Sequence, residues 1–329
     1  MAQPSSMHML WHLLCTITAA SHAQQYLDHR KTAATGVPHW HDAPPRIDET
    51  KVLHRSHNFS AAALTAGIGG ARLGRTRRNV VSCAVENPDY ATIWYDDAAL
   101  DAFLDQVVDK RIARAIATLR RPPFAKHYVL RTDLARLLLV HTYRGWWLDA
   151  DAVCIDPLSD LRIDGCVFAW EGSVADEPSA PLNWAFACEK GHELPLHAAL
   201  LAADRITAFS GDAEACAGER GAYCAGGTVP VLDLTGPAMV GDALRAYAGA
   251  PNRALREAAG ERADDASTWA RATTVKDVTV LPYCFFRSRG CEHLAGPPYH
   301  DRVLFHHEFD TAWRPAFWHN HYSGGGGEL

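Results

Sequence analysis

Apolar positions along this chain fall into two alternating rhythms. Short β-prone runs occur at Lys51-Val52-Leu53-His54, Ala91–Tyr95, Trp146-Trp147-Leu148, Val153-Cys154-Ile155, 167–170, 184–187 and Val278–Leu281. Between them lie segments at helical spacing: Leu100, Phe103, Leu104 and Val107 behind an Asp96-Asp97 start, then 112–119, 193–206 and 239–247. One more helix carries Leu134, Leu137, Leu138 and His141 on a single face. Its pattern predicts Thr132 as N-cap and Gly145 as the left-handed residue just past its end. Strands interleaved with helices, rather than grouped, predict an α/β sheet. The Gly- and Arg-rich stretch 67–78 reads as a loop or an exposed helix end, and no internal repeat or second domain boundary is visible.

The ends have a different texture. Residues 9–19 are apolar and are followed by Ser21-His22-Ala23, a small-x-small cleavage pattern. That stretch is shorter than the roughly 20 residues needed to span a bilayer, so 1–23 reads as a secretory signal peptide. A degenerate signal-anchor and an ordinary terminus are the competing readings, because no Lys or Arg precedes the run and His12 interrupts it. Residues 24–50 are polar and aperiodic, a flexible stem; 51–322 is the expected folded domain, and 323–329, with its Gly324 to Gly327 run, is a tail. No segment outside the amino end is long and apolar enough to suggest a polytopic membrane protein.

Composition narrows the class without naming a function. Of 329 residues, 48% are hydrophobic and 21% charged, which excludes disordered and fibrous chains. The net charge of −6 offers no basic field for nucleic acid. Removing Cys15 with the signal would leave eight of the nine cysteines, an even number that suits disulfides in an oxidising lumen, with buried free thiols as the alternative. Cys216/Cys224 and Cys284/Cys291 are candidate short loops, although pairing does not follow from sequence. There is no CxxC pair to suggest structural zinc, and Asn58-Phe59-Ser60 is the single glycosylation sequon.

The chemistry concentrates at Asp149-Ala150-Asp151, two carboxylates one residue apart where a strand ends. Turned toward one point, they are hard oxygen ligands for Mg²⁺ or Mn²⁺, the cation that a departing diphosphate requires. Asp133 and Arg136, at i and i+3, share a helix face and read either as ligands for sugar hydroxyls and phosphate or as an exposed intrahelical ion pair.

The ordered string Arg131-Thr132-Asp133-Leu134-Ala135-Arg136-Leu137 … Tyr143-Arg144-Gly145-Trp146-Trp147-Leu148-Asp149-Ala150-Asp151 resembles the core of the DXD-containing glycosyltransferases of family 32. That group includes the initiating α-1,6-mannosyltransferase and the sphingolipid mannosyl- and galactosyltransferases. Flanking pieces are similar too. Lys51-Val52-Leu53-His54 resembles the family's first strand, and Asn87-Pro88-Asp89-Tyr90 with Trp94 and Asp96-Asp97 its second. Asn183-Trp184-Ala185-Phe186-Ala187, Thr235-Gly236-Pro237 and His306-His307 with Trp313 resemble its later motifs. Arg144 departs from the pattern by replacing the first of two glycines, and His57 stands where many relatives have tryptophan.

The resemblance, spanning about 51–320, implies a single catalytic domain of GT-A type: a Rossmann-like mixed sheet flanked by helices. It implies a retaining hexosyltransferase that moves a hexose from a UDP- or GDP-sugar to a hydroxyl on a glycan, lipid or protein, in the Golgi or ER lumen or secreted. Asp149 and Asp151 would bind Mn²⁺ (or Mg²⁺) and the diphosphate, completed by His306 or His307; a surface turn beside an aromatic core is the plainer reading of the two histidines. Asp133, Arg136, Trp147 and Asn183 would serve the donor, with a strand-capping amide the alternative for Asn183. Two competing functions stay open: a catalytically inactive lumenal protein that binds sugar nucleotides or glycans, and a metal-dependent phosphohydrolase.

Overall fold

The computed structural model describes residues 51–57, 70–122, 124–158, 161, 163–171, 180–209, 231–249, 273–281, 286–287 and 303–307. The possible signal peptide, the stem, the sequon, both candidate short cysteine loops, Trp313 and the tail lie outside these residues. No described helix is long and apolar enough to cross a membrane.

The chain is α/β, as its rhythm predicts. Eleven described strands run in chain order: β1 (Val52–Ser56), β2 (Ala91–Tyr95), β3 (Gly145–Leu148), β4 (Ala152–Cys154), β5 (Cys166–Glu171), β6 (Ala180–Pro181), β7 (Ala185–Cys188), β8 (Thr273–Val275), β9 (Val278–Leu281), β10 (Phe286–Arg287) and β11 (Phe305–His307). The described α-helices are α1 (Gly70–Glu86), α2 (Asp97–Leu104), α3 (Lys110–Leu119), α4 (Tyr128–Tyr143), α5 (Glu193–Ala208), α6 (Val231–Leu234) and α7 (Pro237–Ala248).

The main sheet has the order β2-β1-β3-β7-β5-β9-β8, with β6 paired to β5. Strand β1 lies parallel to both β2 and β3, whereas β7 is antiparallel to β3 and β5, so the sheet is mixed. A second sheet of order β10-β11-β4 lays Phe305–His307 antiparallel along β4. From β1 the chain moves outward to β2 and later returns to the other side of β1 as β3. The carboxyl ends of β1 and β3 therefore flank a topological switch point, the place where open α/β sheets leave a crevice for ligands.

Strand β3 shows why the sheet sits centrally. All four of its residues are buried, and alternation sends Trp146 to one core and Trp147 to the other. Trp147 joins the core of α2 to α5 and α7, while Trp146 packs on Phe286 and Phe305. Two disulfides tie these layers. Cys83–Cys154 joins α1 to β4, and Cys166–Cys188 links paired residues of β5 and β7. The four cysteines among the described residues are thus paired rather than free.

Two local readings of α4 need correction. The helix begins at Tyr128, not after Thr132, and His127 precedes it without a side-chain cap. Leu130 is fully buried, so the apolar face extends a turn further back and carries the helix with it. Asp133 and Arg136 therefore lie inside the helix, beyond the first-turn N–H groups. At the other end Arg144, not Gly145, is the first left-handed residue, with φ 60° and ψ −175°. Gly145 follows at φ 91°, where a Cβ would sit 2.5 Å from the Val52 carbonyl oxygen, so glycine is required there. His54 holds this bend: Nε2 lies 2.7 Å from Arg144 O and so donates to it, while Nδ1 accepts from the Tyr95 hydroxyl at 3.1 Å. Burial lowers the His54 pKa to about 4, which keeps the imidazole neutral.

Candidate metal and donor site

The two aspartates sit on a tight turn at the end of β3. Ala152 N–H donates to Asp149 O at 3.0 Å, closing a β-turn whose first and third residues are Asp149 and Asp151. Asp149 N–H donates to Trp184 O at 2.8 Å, which fixes the turn against the strand leading into β7. Strand β11 then brings in a histidine from 156 positions further along: His307 pairs in register with Ala152, and its Nε2 lies 3.1 Å from Asp151 Oδ1. One ligand atom from each of Asp149, Asp151 and His307 lies within 4.8 Å of the others. Alternation along β11 leaves His307 buried against Trp184, with ring centroids 4.6 Å apart, and sends His306 to the opposite side. Of the two histidines, it is His307 that the structure places at the aspartates.

This donor set fits a divalent cation of the Mn²⁺ or Mg²⁺ kind. Oxygen ligands at roughly 2.1 Å and right angles around an octahedral ion stand about 3 Å apart, close to the Asp151–His307 separation. The imidazole favours Mn²⁺ over the harder Mg²⁺. Electrostatics point the same way. The Asp149 carboxyl is pushed above its ordinary range chiefly by burial and also by Asp151, against the pull of Arg136, His307 and Trp147. A cation would relieve that penalty.

Arg136 organises the aspartates from α4. Its Nη2 reaches Asp133 Oδ1 at 2.9 Å and Asp149 Oδ1 at 3.2 Å, and Nη1 donates to Asn183 O at 2.6 Å. The guanidinium lies over the Trp147 ring at 5.3 Å. Trp147 Nε1–H donates to Asp149 Oδ1 at 2.7 Å. Trp147 is fully buried, so its route to any ligand runs through Asp149. Asp133 and Arg136 are also buried, far from the exposed ion pair that was the plainer alternative. Asp133 takes Thr235 Oγ1–H on Oδ2 at 2.8 Å and the Asn183 amide on Oδ1 at 3.4 Å. Burial raises its pKa to about 6, with Arg136 and Thr235 lowering it and Asp149 raising it.

All seven residues singled out from the sequence, Asp133, Arg136, Trp147, Asn183, Asp149, Asp151 and His307, converge on this one place at the switch point. Sequence reasoning did not single out Arg55 and Thr235 as site residues. Thr235 was visible only as part of a short motif. Arg55 directly follows the expected strand Lys51–His54, and its burial shows only in the structure, where all five residues of β1 are buried.

No family model matches the chain, and no curated protein gives a significant match. Among solved structures the chain is similar to one titled "PaToxG Glycosyltransferase", at 20% sequence identity and a TM-score of 0.40, over 74% of this chain and 84% of that one.

Proposed function

We propose that this chain is a metal-dependent, anomer-retaining glycosyltransferase of GT-A type. In this reading it moves a hexose from a UDP- or GDP-sugar to a hydroxyl acceptor on a glycan, lipid or protein. The observation that carries the reading is the convergence of Asp149, Asp151 and His307 beside the Asp133–Arg136 pair, at the carboxyl ends of β1 and β3. The ordered sequence motifs support it, because they resemble a family in which the matching positions carry those roles. Asp149, Asp151 and His307 would hold Mn²⁺, which when bound neutralises a diphosphate as it leaves.

The chain's own groups do the rest. Trp147 and Arg136 fix the rotamer of Asp149 through Oδ1, leaving its second oxygen for the cation. Arg136 adds a guanidinium within the same buried shell, where positive charge favours a phosphate leaving group. Asp133, held by Thr235 and Asn183, offers a carboxylate to donor hydroxyls. Retention follows from front-face attack in which the leaving diphosphate takes the acceptor's proton, so no carboxylate nucleophile is needed. Two disulfides support a secretory lumen as the compartment.

The test is a panel of UDP- and GDP-sugars with Mn²⁺, scored for donor hydrolysis, with Asp151→Asn alongside. The variant should lose at least a hundredfold in sugar release while its thermal midpoint stays within about 2 °C of the parent, because Asp151 is partly exposed at the turn. Equal sugar release by the variant would refute the metal assignment. Tight donor binding with no release by the parent would leave a binding protein.

A further inference from the structure

The turn that carries the two aspartates is held from beneath by a cation that belongs to no ligand set. Arg55, on β1, is fully buried there. Its Nη2 donates to Asp149 O at 2.8 Å and to Ala152 O at 2.6 Å, the first and last carbonyls of the turn. Its Nη1 donates to Asn79 O at 3.1 Å and to Cys83 Sγ at 3.2 Å, both on α1. The four hydrogens of the two terminal nitrogens are thereby matched by four acceptors. Helix α1 reaches the same segment on its own account: the Asn79 amide donates to Ala150 O at 3.4 Å, Ser82 Oγ accepts from Cys154 N–H at 3.0 Å, and Cys83 is bonded to Cys154. Three of the turn's four carbonyls are thus drawn back toward β1 and α1. The two carboxylates engage Arg136, Trp147 and His307 instead.

We infer that Arg55 is a positioning residue for the cation site: its fork fixes the turn backbone so that Asp149 and Asp151 present their carboxylates to one ion. The inference rests on the reading that Asp149, Asp151 and His307 hold that ion. It has an unusual sign. The guanidinium remains charged, its pKa lowered to about 10 by burial against the raising pull of Asp151 and Asp149, so by charge alone it would oppose a divalent ion held by those aspartates. Positioning and Coulomb repulsion therefore predict opposite outcomes when Arg55 is replaced. A purely structural role would shift thermal unfolding and leave ion affinity below the transition unchanged.

The experiment uses the full chain as parent, Arg55→Gln and Arg55→Lys, with Mn²⁺ alone as probe. Free Mn²⁺ is followed by its electron paramagnetic resonance signal, and the fold by near-ultraviolet circular dichroism. Arg55→Gln, which removes the charge and the fork, should bind Mn²⁺ at least tenfold more weakly than the parent. Arg55→Lys keeps a cation but has one nitrogen in place of two, so it cannot hold the turn carbonyls and the α1 acceptors at once, and should be weakened several-fold. Unchanged or tighter Mn²⁺ binding in Arg55→Gln overturns the inference. If Arg55→Gln does not fold, Arg55→Lys decides alone, and parental affinity in that variant overturns it equally. A parent that takes up no Mn²⁺ overturns the ion assignment itself, an outcome separate from a parent that binds and a variant that binds just as well.

Discussion

Replacing Asp133 by asparagine should change how the stability of this protein responds to acid, and the sign of the change is fixed by burial. The Asp133 carboxyl has a pKa of about 6, against an ordinary 3.8. Burial is the largest cause and outweighs the guanidinium of Arg136 only 2.9 Å away. A carboxyl raised in this way disfavours the folded state when ionised. Its full cost at pH 7, from a shift near two units, is about 3 kcal/mol. As pH falls from 7 to 4, through the folded value and toward the unfolded one, about 2 kcal/mol of that is returned. His54 does the reverse. Its folded pKa of about 4 lies below the ordinary 6.5, so stability present above pH 6.5 is lost on acidification, about 3 kcal/mol by pH 4. In the parent these two groups nearly offset each other across that window. In Asp133→Asn only the histidine remains, so the gap between parent and variant should widen by about 2 kcal/mol in the parent's favour between pH 7 and pH 4. Urea unfolding at pH 7, 5 and 4 measures this directly, and taking the difference removes every group the two proteins share. A gap independent of pH would refute the raised pKa. A gap that moves the other way would mean that the Arg136 ion pair, not burial, governs Asp133.

Two further outcomes follow from the backbone and the crosslinks. Arg144 holds φ 60° and ψ −175°, a region in which only glycine is at ease, at a cost of about 1–3 kcal/mol for other residues. Arg144→Gly should therefore raise stability by about 1 kcal/mol after glycine's extra unfolded-state entropy is deducted, and a lowered thermal midpoint would contradict the strain. The Cys83–Cys154 bridge closes a loop of 71 positions, so Cys83→Ser with Cys154→Ser should lower unfolding free energy by about 4 kcal/mol in denaturant. A loss under 1 kcal/mol would show that the unfolded chain is not restrained by this link.

Much of the architecture could be read from periodicity because the buried positions there are apolar. Strand β9 was read to the residue as Val278–Leu281, and α2 begins behind Asp96, which accepts Ala99 N–H at 2.9 Å as its N-cap. Helix α1 was read as a loop or exposed helix end over much of its length, for a physical reason. Its inward face presents Thr76 and Asn79 as well as Cys83 and Ala84, so the spacing is helical but the side chains are partly polar. Of these, Asn79 donates to Ala150 O in the acidic turn rather than packing in a core, and a hydrophobicity pattern cannot register that. The start of α4 was misplaced because Thr132 has the chemistry of a cap while sitting inside the helix, its Oγ1 turned toward Tyr128 O at 3.5 Å. The aspartates and His307 were legible as motifs. What motifs cannot carry is the third dimension: that His307 rather than His306 faces Asp151, and that Arg55 reaches both ends of one turn, depends on strand register and on pairings between distant segments.

The smaller sheet carries a consequence for how the molecule matures. Two of the three candidate ion ligands arrive together on one turn, but the third rides on a strand of three residues, Phe305–His307, near the carboxyl end. A nascent or clipped chain ending short of that strand would retain β1 to β9 and the helices around them, yet offer the ion only two carboxylates. Because so long a loop must close before the last partner docks, completion of the coordination sphere belongs among the late events of folding. Assembly of the three candidate ligands is thereby deferred until β11 has been made and has paired with β4.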